Sequence, residues 1–185
     1  ATGSGLDDFT IRFVEPQLRE GEEEGPYRPW EVDGRRFQGT DGWWDSGDEK
    51  LTPGTYVAIE ASAPGRAPAR MPRLLVETAP SRDPLVLPLG SGGTIRGVVH
   101  TDTGEPVVGA IIGWRFANSA GPGQTEPSED PGAPKSASDG SFELTLVPSG
   151  NLVLSIEAPR RPAFDDGPFE VRAGAAVMRK IILPK

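Results

Sequence analysis

Apolar and polar residues alternate in short runs along most of the chain, with a period of two. Phe9, Ile11 and Phe13 fall on one face of a predicted strand, with Thr10 and Arg12 on the other. The run 56–61 predicts a second strand, entered through Leu51-Thr52-Pro53-Gly54 and left through the Pro-rich bend 63–68. Leu74-Leu75-Val76 and Leu85-Val86-Leu87 predict two closing strands. Further on, residues 94–99 are rich in β-branched side chains, and 107–116 resumes the extended pattern with Ile112, Trp114 and Phe116 on one face. Phe142, Leu144 and Leu146 form the next apolar face, and Leu152, Leu154, Ile156 and Ala158 the one after. No segment carries the 3.6-residue apolar stripe of a long helix. Strands apolar on one face need a second sheet to cover them, so the pattern predicts an all-β fold built of thin sandwiches.

The punctuation between strands adds the turns. Asp102-Thr103-Gly104-Glu105-Pro106 combines an Asp, a Gly tolerant of positive φ and a Pro that donates no ladder bond, so the stretch 93–110 reads as strand, tight turn, strand. Asp139-Gly140 and Pro148-Ser149-Gly150 mark two later turns. Residues 118–137 lack apolar periodicity and predict a long surface loop, and the acidic run 17–25 predicts a solvated one. A weak internal repeat also shows. Thr10-Ile11-Arg12 is matched by Thr94-Ile95-Arg96, Leu51-Thr52-Pro53-Gly54 by Leu146-Val147-Pro148-Ser149-Gly150, and Ala63-Pro64 by Ala158-Pro159. With Gly90-Ser91-Gly92-Gly93 as the border, the expectation is two tandem small Greek-key β-sandwiches, Ig-like or prealbumin-like, over residues 6–90 and 91–185.

The second half carries an ordered set of landmarks. Gly97 and Val99 are followed by Asp102, Gly104, Pro106-Val107 and Gly109-Ala110, then by Asp139-Gly140-Ser141-Phe142 with Leu144, then by Pro148-Ser149-Gly150. This succession resembles the carboxypeptidase regulatory-like family of prealbumin-like (transthyretin-like) β-sandwiches, over residues 93–183. The resemblance implies an architecture, and folds of this kind host many functions. The first half lacks that hairpin and holds an acidic and aromatic insertion in its place.

Composition narrows the function classes. The 185 residues suffice for one large or two small domains, and 24 Gly with 20 Pro fit a loop-rich β protein. A net charge of −8 argues against nucleic acid or an anionic membrane as partner, since both require a basic face. No apolar run approaches the ~20 residues of a membrane helix, so no membrane insertion is expected. The absence of Cys excludes disulfides, thiol nucleophiles and thiolate metal sites. The Arg, Ala, Gly and Pro bias suits a bacterium with a GC-rich genome.

Candidate chemistry is sparse. His100 is the only histidine, and no G-x-S-x-G elbow accompanies it, so a Ser–His–acid triad is not expected. The transthyretin-like hydrolases use more than one histidine, and carboxypeptidases that carry such domains keep their zinc elsewhere. Three acidic groups are candidates for calcium: Asp45, Asp48 and Glu49; Glu126, Glu129 and Asp130; Asp165 and Asp166. None has EF-hand spacing, and solvated acidic loops are the expectation, with no metal and no cofactor. Lys–Asn isopeptide bonding, which closes some bacterial surface sandwiches, is not expected from Lys50, Lys135, Lys180, Lys185, Asn118 and Asn151.

One stretch suggests a ligand. Tyr27, Arg28, Trp30, Trp43 and Trp44 lie close together among Gly and Asp residues. Sugar-binding sandwiches present flat rings beside polar groups, because pyranose faces stack on rings while hydroxyls need partners. Trp43 and Trp44 are consecutive, so in a strand one must face away from the core. The competing expectation, and the preferred one, is that these rings cover the edge of a thin first sandwich.

The sequence therefore predicts a non-catalytic β-sandwich scaffold or interaction module of a larger secreted or envelope-associated bacterial protein, extracytoplasmic, with protein partners. The alternative is a carbohydrate-binding module with a glycan partner, centred on Tyr27, Arg28, Trp30, Trp43 and Trp44. A third reading is an accessory domain of a hydrolase.

Overall fold

The computed structural model describes residues 5–6, 8–16, 27–29, 35–38, 42–43, 52–78, 85–117 and 134–184. Every regular element among them is a strand, and none is a helix. The fold is all-β. The chain separates into two compact units, Ala1–Gly90 and Ser91–Lys185.

In the first unit β1 (Asp8–Pro16) is the central strand. It pairs along one side with β4 (Tyr56–Ser62), and successive stretches of it pair with β3 (Arg35–Gln38) and β2 (Tyr27–Pro29). β5 (Ala69–Leu75) joins β4 as the next antiparallel neighbour. The period-two pattern of β1 appears directly in the packing, because Phe9, Ile11 and Phe13 are buried together with Val57 and Ile59 of β4. Leu74, Val76 and Leu87 pack against this cluster. The expected closing strand at 85–87 is not formed: the segment carries no ladder, Leu87 alone reaches the cluster, and Leu85 and Val86 are exposed. Among the described residues this unit holds one antiparallel sheet, so the sandwich expected of residues 6–90 stands as a proposal. The acidic run 17–25 lies outside the described residues.

The second unit consists of two three-stranded sheets. One has the order β11-β6-β8, formed by β11 (Ala176–Leu183), β6 (Gly93–Thr101) and β8 (Ser141–Val147). The other has the order β10-β9-β7, formed by β10 (Phe164–Val171), β9 (Gly150–Glu157) and β7 (Ile111–Phe116). Their inner faces share one apolar core. Ile95, Val99, Phe142, Leu144, Val147, Ile181 and Leu183 come from the first sheet, and Ile112, Leu152, Leu154, Ile156 and Val171 from the second. Trp114 and Phe116, two residues apart on the inner face of β7, meet edge to face with centroids 5.7 Å apart at the border of this core.

Three expectations change here. First, the strand–turn–strand at 93–110 does not make a two-stranded hairpin. The turn itself forms, with Gly104 at φ +86° and Thr101 N–H bonded to Glu105 C=O, and the ladder reaches an isolated bridge between His100 and Pro106. Residues 107–110 then cross to the opposite sheet, where β7 begins at Ile111 and pairs with β9. Both edges of β6 are already taken, by β8 and by β11.

Second, Leu146 does not join Phe142 and Leu144. A register shift in the β6–β8 pair and a positive φ of 56° at Leu146 turn that side chain outward, and Val147 fills the core in its place. Third, the surface loop expected over 118–137 ends early. Pro134 to Ser136 run beside 109–112: Ile112 N–H donates to Pro134 C=O, Ser136 N–H to Ala110 C=O, and Gly109 N–H to Ser136 C=O. Residues 118–133 lie outside the described residues.

Candidate functional site

The aromatic stretch is only partly placed. Tyr27 and Arg28 belong to β2, opposite Pro16 and Glu15 of β1. Trp43 follows Gly42 and exposes 69% of its surface. An indole in that state adds little to a core. Trp30 and Trp44 lie outside the described residues. Of the five candidate residues, the structure thus gives the backbone position of two and the exposure of one.

Among the described residues of the second unit four carboxylates are paired with arginines. Asp165 and Asp166, read from the sequence as an acidic loop, lie in β10, where consecutive side chains point to opposite faces. Asp165 accepts a hydrogen bond from Arg115 Nη2 at 2.7 Å. Asp166 takes both Nε and Nη2 of Arg179 at 2.7 Å each, a two-point contact between β10 of one sheet and β11 of the other. The Arg179 guanidinium also lies over the Phe169 ring, 4.6 Å from its centroid. The hydrogen bond and charge of Asp166 raise the Arg179 pKa, against the opposing effect of burial. Arg179 occupies an inward position of β11 between Val177 and Ile181, so a cation closes the seam where two edge strands meet.

On the outer face of the other sheet, Arg96 and Glu143, directly opposite in the β6–β8 register, form an exposed pair at 2.8 Å. Exposed Glu170 is held below the usual carboxylate range by its hydrogen bonds from Arg172, then by that residue's charge. His100 sits half-buried at the end of β6 beside Gly140. Asp139 Oδ1 accepts the Ser141 backbone N–H at 2.9 Å, closing an Asx turn that starts β8.

These contacts build structure. Each carboxylate in a pair is opposed by a guanidinium that neutralises it, so the pairs organise strands and edges. The sequence had no signal for them, because partners such as Arg115 and Asp165 lie far apart along the chain. Ser136 was missed for the same reason: it looks like a loop residue, yet its buried Oγ donates to Val107 C=O at 2.7 Å and accepts Ala110 N–H at 2.9 Å. Among the described residues no three His, Cys, Asp or Glu side chains come together as metal ligands, and no helix is long and apolar enough to cross a membrane.

No family model matches the chain, and no curated protein matches it. Solved structures give distant likenesses. A minor pilin of Streptococcus agalactiae is 14% identical with a TM-score of 0.41, the match covering 98% of this chain and 84% of that one. A pilus 2b backbone protein of group B streptococcus is 13% identical with a TM-score of 0.36, covering 100% and 88%. The dioxygenase domain of a dioxygenase carbohydrate-binding protein fusion from Streptomyces sp. SirexAA-E is 20% identical with a TM-score of 0.36, covering 51% and 80%. Scores of this size do not establish a shared fold, and the conclusion from this chain's own strands is an all-β protein whose second unit is a two-sheet sandwich.

Proposed function

We propose that the chain is a non-catalytic scaffold or interaction module, made of two β-sandwiches in tandem, from a larger secreted or envelope-associated bacterial protein. Its second half is, in this reading, a sandwich of the carboxypeptidase regulatory-like type, and its partners are proteins. The observation that carries the reading is that the apolar clusters of the two units draw on separate sets of strands, one centred on Phe9, Ile11 and Phe13, the other on Ile95, Leu154 and Ile181. Compact units with separate cores suit a spacer role. The ion pairs of the second unit support it too, since they tie strand to strand and sheet to sheet.

A membrane-impermeant amine reagent applied to intact cells tests the placement. Labelling of the chain is expected, and labelling only after lysis overturns it.

The exposure of Trp43 favours one further reading, a carbohydrate-binding module. A glycan array beside thermal melting of wild type and Trp43→Ala separates the two. The expected outcome is an unchanged melting temperature for the variant and no wild-type hit. A reproducible wild-type hit that a well-folded Trp43→Ala loses would replace the scaffold reading.

A further inference from the structure

The first and last strands of the second unit are parallel neighbours. Eight consecutive pairs join them, from Thr94 opposite Ala176 to Thr101 opposite Leu183. The ladder extends past the start of β11, because Thr94 N–H donates to Ala175 C=O and Gly174 N–H to Gly92 C=O. At the far end Arg161 Nη1 donates to Pro184 C=O at 2.7 Å, holding the exit of β11 to the turn between β9 and β10. Val99 N–H, by contrast, donates to Gly140 C=O, so different residues of β6 serve the β8 side and the β11 side.

We infer that this unit is a tension-bearing clamp whose load is carried by the β6–β11 ladder. Parallel strands begin at the same end, so the chain enters β6 at one end of the ladder and leaves β11 at the other. A pull between these points slides one strand along its neighbour. Every inter-strand hydrogen bond is then strained at once, and evenly spaced parallel bonds share the load. The remaining strands lie outside the line of force while the ladder holds. β6 cannot slip out alone, because β8 grips its other edge over Gly93 to Val98 and the inner side chains Ile95 and Val99 are keyed into the core. The same ladder pulled from one end only would open one bond at a time. The unit is therefore strong along the direction in which a tether would load it and weak across it. The inference rests on the scaffold reading, since membership of a larger protein is what delivers tension to both ends.

The absence of Cys makes the test clean, because introduced thiols are the only attachment points. In the full 185-residue chain, Ser91→Cys with Pro184→Cys loads the ladder in shear, and Ser91→Cys with Ala176→Cys opens it from one end. All three positions are exposed. Single-molecule pulling at one loading rate is expected to give an unfolding force for the shear pair at least about twice that of the end-opening pair, because forced unfolding follows the barrier along the pulled direction. Matched melting temperatures show that the difference is directional. Met178→Cys, exposed and outward on β11, replaces Ala176→Cys if that variant melts lower. Equal forces in the two directions overturn the clamp and leave the scaffold reading standing. Labelling of the chain only after cell lysis overturns the scaffold reading while the directional strength is still measured.

Discussion

Arg115 and Asp165 are joined by a 2.7 Å ion pair that spans the central strand of its sheet. Arg115 lies on β7 opposite Val153, and Asp165 on β10 opposite Ser155, so the pair reaches across β9 from both flanks. This explains why Val153 and Ser155 are buried on the sheet's outer face. Arg115→Ala removes the cover and leaves Asp165 without its cation, and is expected to cost ~1–3 kcal/mol in urea unfolding. Arg115→Met with Asp165→Leu should recover part of the loss, because neither side chain then needs a partner. A single variant as stable as wild type would show that the pair contributes nothing.

Gly140 and Gly104 separate two costs of replacing a turn glycine. Both have positive φ, +78° and +86°, so a side chain is strained at either. A Cβ at Gly104 meets nothing within 4 Å, whereas one at Gly140 would lie 2.5 Å from Val99 C=O, the acceptor of the Val107 N–H. Gly104→Ala should therefore cost about 1 kcal/mol, and Gly140→Ala clearly more, as the backbone there must shift. Equal losses in melting temperature would show that the close approach is relieved without penalty.

Ser136 is the pin that holds the end of the 118–137 segment to the sandwich. Its Oγ satisfies Val107 C=O and Ala110 N–H, both in the crossing between sheets. Ser136→Ala leaves these groups without that partner in a buried place and should cost ~1–3 kcal/mol. Hydrogen exchange is the sharper measurement, because protection of the Ala110 amide should fall in the variant while that of Leu154 persists. Unchanged protection at Ala110 would remove Ser136 from this role.

Asp139 links the Asx turn to acid stability. Hydrogen bonds with Ser141, first through its side chain and then through its backbone, hold the carboxyl below its usual value, and the nearby His100 charge adds to this. A depressed folded pKa means that the stabilisation is complete above the ordinary carboxylate pKa of the unfolded chain and disappears as pH falls through the lower folded value. In an NMR titration Ser141→Ala should move the Asp139 midpoint upward. A midpoint that stays in place would assign the shift to another cause.

Strand faces were legible along the chain wherever one residue in two had to be buried. Phe9, Ile11 and Phe13, and later Leu152, Leu154 and Ile156, are in the core as the alternation requires. The turns at Gly104 and Gly140 were legible as well, since few residues accept that backbone geometry. Leu146 was misplaced because a bulge changes the count locally, and both Leu146 and Val147 are apolar enough for the core. The aromatic stretch was visible as composition, but only the fold shows that Trp43 faces solvent.

The sequence by itself determined that this chain is made of strands, which faces most of them bury and where they turn, because those properties depend on neighbours two to four residues away. Tertiary structure decided which strands share a sheet. A turn such as 102–106 serves equally well to return a chain to its own sheet or to send it to the opposite one. The crossing at 107–110 follows because β8 and β11 occupy both edges of β6, and β11 arrives from the far end of the chain. The Arg115–Asp165 and Arg179–Asp166 pairs were decided in the same way, by side chains that become neighbours only when the sheets are assembled.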